Sequence, residues 1–154
     1  MNDSINYDNL LLSWERSTNN EEKDFTASED FIVNKKITKI EVLCDKSFQG
    51  QPENAENHII KDIRRFGKAL ILDLDNDISL MIHLRMTGQL IYDGKERYAA
   101  GHPSDNFTAK LPNKQTRVLL KFPDGTLYFN DQRKFGFIKN IETKDVINDS
   151  FIKK

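Results

Sequence analysis

Basic and apolar side chains share one stretch of this chain in a pattern that suits contact with a phosphate polymer. Lys61, Arg64, Arg65 and Lys68 surround a glycine break at Gly67, His83, Arg85 and Met86 close a strand-like run, and Arg133, Lys134 and Phe135 precede Gly136. Cations hold phosphates without regard to base sequence, whereas an apolar or aromatic side chain beside them can push into the base stack. An enzyme that works on a base in a duplex must extrude it, and a side chain then has to fill the space left behind. Taken singly, these residues also have ordinary readings: Met86 and Phe135 as core residues on strands, Arg64 and Arg65 as solvated charges, and His83 as a hydrogen-bonded structural histidine. Other chemistries find no support. His58, His83 and His102 lack metal-ligand spacing, the single cysteine, Cys44, cannot build a Cys-rich zinc site, and no glycine-rich phosphate loop or Ser/His/Asp motif occurs.

The elements that must position these residues read as strands. ITKIEVLC (37–44) alternates imperfectly, with Ile37, Ile40, Val42 and Cys44 as its apolar members. HIIKDIRRFGKALILDL reads as two strands broken near Gly67, ISLMIHLRMTGQLIYDG as one long strand after a DND turn, and QTRVLLKFPDGTLYFNDQ as a hairpin about Asp124-Gly125. RKFGFIKNIE supplies a last strand, and the tail from Lys144 reads as irregular or a short helix. Strands at short spacing with turn chemistry between them predict a mainly β fold, an antiparallel β-sandwich with few short helices.

The net charge of −1 hides an uneven distribution. Residues 1–32 hold eight acids and two bases, a net of −6, while residues 33–154 hold 21 bases and 16 acids, a net of +5. We therefore divide the chain into an acidic N-terminal segment, 1–32, forming loop or a short helix around NYDNLLLSWER, and a basic β domain, 33–154. A basic body suits a polyanionic partner, although a net of +5 is also compatible with an ordinary solvated surface. No apolar run approaches the ~20 residues that span a bilayer, and the first residues lack the basic and long apolar regions of a secretory signal. An intracellular, cytoplasmic location with no membrane association is the expectation.

Four strings carry a resemblance. IRRFGKALILDL, LMIHLRMTGQLIYDG, GHPSDNFTAKLPNKQTRV and DGTLYFNDQRKFGFIK resemble consecutive blocks of the formamidopyrimidine-DNA glycosylase family, in the family's order and at roughly its spacing. VNKKITKIEVLCDKSFQG is more weakly similar to the family's first strand. The resemblance implies the N-terminal β-sandwich domain of a base-excision repair enzyme that acts on formamidopyrimidine or 8-oxoguanine lesions in duplex DNA and cleaves abasic sites. It implies a catalytic and phosphate-contacting role for Lys68 and a DNA-facing role for Arg65. Met86 matches the residue that fills the vacated space, Arg133 the arginine that reads the orphaned base, and Phe135 the wedge beside that base. Gln115 falls where many members carry a DNA-contacting histidine; a glutamine can still donate to a phosphate but cannot become cationic.

The chain also departs from the family pattern. Members begin Pro-Glu-Leu-Pro-Glu, and the proline amine attacks the sugar C1′ to form a Schiff base; here the first residues are Met1-Asn2, and the one Pro-Glu pair, Pro52-Glu53, is internal. The family's C-terminal half, with its helix–two-turn–helix element and zinc finger, has no counterpart here. The expectation is a domain with no cofactor of its own, binding damaged double-stranded DNA with impaired or no turnover, either alone or beside a separate chain that supplies the missing half. The alternative is a non-catalytic DNA- or protein-binding module, or a gene relic, that reuses the fold.

Overall fold

The computed structural model describes residues 32–95, 97–102, 104–149 and 152. The acidic segment up to residue 31 and the helix read around NYDNLLLSWER lie outside the described residues. Eleven strands form two sheets. The first contains β1 (Lys36–Ile37), β3 (Phe48–Gln49), β4 (His58–Phe66), β5 (Ala69–Leu74), β6 (Ile78–His83) and β11 (Phe137–Glu142), in the order β1-β4-β5-β6-β11-β3. The second contains β2 (Lys39–Val42), β7 (Gly88–Asp93), β8 (Arg97–Gly101), β9 (Thr116–Phe122) and β10 (Gly125–Asp131), in the order β2-β9-β10-β7-β8. All pairings are antiparallel except β3 with β11. The antiparallel sandwich is as expected, and the helical content of the described residues is confined to short 3-10 turns such as Thr143–Asn148.

Alternation places Leu70, Leu72 and Leu74 of β5 between the sheets, against Leu120, Leu127 and Phe129 of the opposing one. The other face of β5 is apolar too: Ala69 and Ile71 join Met81, Phe137 and Val146 in a second cluster beneath the C-terminal residues. Burial on both faces explains why ALILDL reads as a continuous apolar run rather than an alternating one.

Three expectations about strand boundaries are corrected. The run 37–44 is two strands in different sheets, because the Thr38 amide and hydroxyl both bond the Lys121 carbonyl and turn the chain across. The run 78–94 is likewise divided: residues 84–87 form a turn, with Arg85 at φ +55° and Gly88 N–H donating to the Leu84 carbonyl, that carries the chain from β6 to β7. An added Cβ at Gly88 would lie 2.4 Å from that carbonyl oxygen, so glycine is required where the chain changes sheet. Third, the strings read as strands above leave none between ISLMIHLRMTGQLIYDG and QTRVLLKFPDGTLYFNDQ, and β8 lies there, paired with β7. The β9–β10 hairpin turns on Pro123-Asp124, with Gly125 already paired to Phe122.

Candidate nucleic-acid interface

The ladder registers gather the residues singled out above at one end of the sandwich. Ala69 pairs His83, and Phe137 pairs His83 from the other side, so the β4–β5 turn, the β6–β7 turn and the β10–β11 loop lie side by side. Gly88 pairs Asp131, which brings the start of β7 and the end of β10 to the same place. Gln115, just before β9, accepts from the Asp131 amide through its carbonyl.

Each turn presents its residue by a definite local cause. Gly67, at φ +61°, lets β4 reverse within two residues and leaves Lys68 exposed at the tip. No described residue bonds the Lys68 ammonium, and the Lys68 carbonyl accepts from Leu84 N–H, tying this turn to the next. Met86, on the β6–β7 turn, is 60% exposed, and Phe135 is 44% exposed. Leu43 and Ile147 are exposed as well; what sets Met86 and Phe135 apart is that their turns share one end of the sandwich with Lys68 and Arg133. The Arg133 guanidinium lies over the Phe135 ring, 4.8 Å from its centroid, a cation–π contact that orders both side chains.

The basic cluster around Gly67 divides into parts. Arg64 makes a two-pronged pair with Asp73, at 2.8 and 3.0 Å, within the sheet. Arg65 donates to the Gly67 carbonyl and buttresses the turn. Lys68 alone of the cluster's described members near the tip is fully presented. Gln115 is partly buried: its side-chain oxygen accepts from Asn106 at 2.6 Å, and Asn106 is in turn held by Gln89 and Asn113. That network occupies the Gln115 side-chain oxygen and makes no use of its amide nitrogen.

Sequence reading missed the residues beneath these tips. Asp131 is fully buried, and its carboxylate accepts from Thr87 Oγ1, from the Arg133 amide at 3.2 Å and from the Gly136 amide at 2.6 Å. Its carbonyl accepts from Arg117 Nε. The string DQRKFG does not mark this burial, because an acid beside bases is equally the pattern of a solvated carboxylate. Gly136 is needed because a Cβ there would sit 2.5 Å from the His83 carbonyl oxygen. The charge at this end acts on Cys44: burial pushes the thiol up, but hydrogen bonds from Ser47 and the Lys46 backbone, with the charges of Lys134 and Arg117, hold it below its ordinary value. No group of three or more His, Cys, Asp or Glu among the described residues could hold a metal ion, and no described helix is long and apolar enough to cross a membrane.

Fold and site together define a β-sandwich domain with a cationic end that carries exposed apolar tips. The chain belongs to a known family of such domains: residues 25–138 match the formamidopyrimidine-DNA glycosylase N-terminal domain. The formamidopyrimidine-DNA glycosylase of Ligilactobacillus salivarius is 35% identical over 120 residues, covering 75% of this chain and 39% of the relative. That of a Wolbachia from Brugia malayi is 33% identical over 124 residues, covering 77% and 41%. Among solved structures, the Lactococcus lactis enzyme in complex with DNA containing Fapy-dG superposes with a TM-score of 0.68 at 26% identity, covering 89% of this chain and 46% of that one. A variant of the same enzyme with Fapy-dG DNA gives 0.66 at 28% identity, covering 80% and 42%. The chain therefore has the fold of a base-excision DNA repair glycosylase, and it spans about two-fifths of the length of the curated relatives it matches.

Proposed function

We propose that this domain binds damaged duplex DNA at the loop end of the sandwich. Lys68 meets phosphate, Met86 enters the space of a displaced nucleotide, Arg133 reads the orphaned base, and Phe135 wedges in beside that base. The observation that carries this reading is the exposure of Met86 and Phe135 on adjacent turns, with Arg133 stacked on the phenyl ring. Two apolar prongs flanked by cations match the design of proteins that unstack a duplex and hold its backbone. The similar Lactococcus lactis proteins are seen with DNA that contains a Fapy-dG lesion, which supports damaged duplex as the ligand. Arg65 acts behind Lys68 by fixing the turn, and Gln115 donates its amide to a backbone oxygen. For this chain the proposal is lesion binding, with Lys68 as the amine available at the site. The reading requires no cofactor, and a cytoplasmic location fits it.

The test is a fluorescence-anisotropy titration at one fixed salt concentration, comparing an intact duplex with one carrying a tetrahydrofuran abasic analogue. The wild-type protein is expected to prefer the analogue by at least about tenfold, and Phe135→Ala or Met86→Ala to lose most of that preference, in line with ~1–3 kcal/mol per stacking contact. Equal affinity for the two duplexes would contradict the proposal.

A further inference from the structure

Two prongs borne on different turns are useful only if they enter the duplex together, and the buried carboxylate between them offers the means. We infer that Asp131, with Thr87, is a positioning pair that locks the Met86 turn and the Arg133–Phe135 loop into one unit. This rests on the DNA-binding reading for its use, but its geometry stands in the free protein.

Asp131 is 0% exposed, and its three side-chain bonds divide between the two turns. Thr87, the residue after Met86, donates its hydroxyl to Oδ1. Arg133 and Gly136, at the two ends of the other loop, donate their amides to Oδ1 and Oδ2. The Thr87 hydroxyl oxygen also accepts from the Arg133 amide at 3.3 Å, a second bond between the turns. A buried carboxylate is tolerated only while charge-assisted donors satisfy it. Moving either turn alone strips part of that shell, so the low-energy displacement moves both. The loop has little freedom of its own, because Gly136 sits against the His83 and Leu84 carbonyls and Lys134 is held at φ +60°.

Thr87→Val removes the hydroxyl, severs both bonds between the turns and leaves Asp131 with Arg133 and Gly136. Asp131→Asn keeps the shape but turns one acceptor into a donor facing an amide. In the full chain without DNA, Thr87→Val is expected to speed hydrogen exchange of the Arg133 amide by about threefold to tenfold, the worth of one hydrogen bond. The methyl resonance of Met86 should narrow as its turn is released. On the abasic-analogue duplex, the affinity losses of Met86→Ala and Phe135→Ala should be non-additive by about threefold or more in the wild type. They should become additive in the Thr87→Val and Asp131→Asn backgrounds. Additive losses in the wild type, or a coupling that survives Thr87→Val, overturn the inference. A wild type that fails to distinguish the analogue duplex contradicts the proposed function instead. The exchange of the Arg133 amide then decides the coupling alone, and an unchanged rate in Thr87→Val overturns it.

Discussion

At the scale of single residues, the proposed chemistry rests on Lys68. Its ammonium has no bonding partner among the described residues and stands on a turn fixed by Gly67 and Arg65. A lysine so placed can contact phosphate and, in its neutral fraction, attack an aldehyde. With the α-amine blocked, borohydride is expected to trap the protein on an abasic-site duplex, and Lys68→Ala should abolish that adduct. Trapping that persists in Lys68→Ala would assign the amine elsewhere. Lys68, Met86, Arg133 and Phe135 were legible in the sequence because they fall in strings that resemble one family. Asp131, Thr87 and Asn106 were not, because their roles depend on which turns the two sheets bring together. A carboxylate looks alike in sequence whether it caps a loop or faces water.

At the scale of elements, the hairpins were legible from their turns, at Gly67 and, one residue off, at Asp124-Gly125, where the chain reverses on Pro123-Asp124. The exchanges between sheets were not. ISLMIHLRMTGQLIYDG is continuous in strand propensity, and only a four-residue turn closed on Gly88 divides it. Local propensity does not say which sheet a strand joins, because that choice is made by burial on both sides. The same crowding makes Gly136 critical. Gly136→Ala is expected to cost about 2 kcal/mol or more, since backbone atoms rather than flexible side chains stand in the way. The damage should centre on the wedge loop. Urea unfolding with unchanged midpoint, and unchanged preference for the abasic analogue, would refute this account of the loop.

For the whole molecule, charge is the controlling quantity. Residues 1–32 bear a net of −6 and the remainder +5, a division that predicts competition between the acidic segment and DNA for the basic end. Ile32 is buried in the core, and the family match begins at residue 25, so the deletion that tests this should stop at residue 24. Removal of residues 2–24 is expected to raise affinity for duplex DNA several-fold at low salt, with the gain fading as salt screens it. An affinity unchanged at every salt concentration would show that the segment has no part in binding.

Entry of the loop end into the stack, rather than rest on the backbone, is what the proposed function requires. It is tested most directly by placing 2-aminopurine next to the orphaned base, opposite a tetrahydrofuran site, and following its fluorescence as protein is added. A saturable rise in emission is expected that tracks binding and is lost in Phe135→Ala while residual binding persists. Saturable binding by the wild-type protein with no change in emission would contradict it.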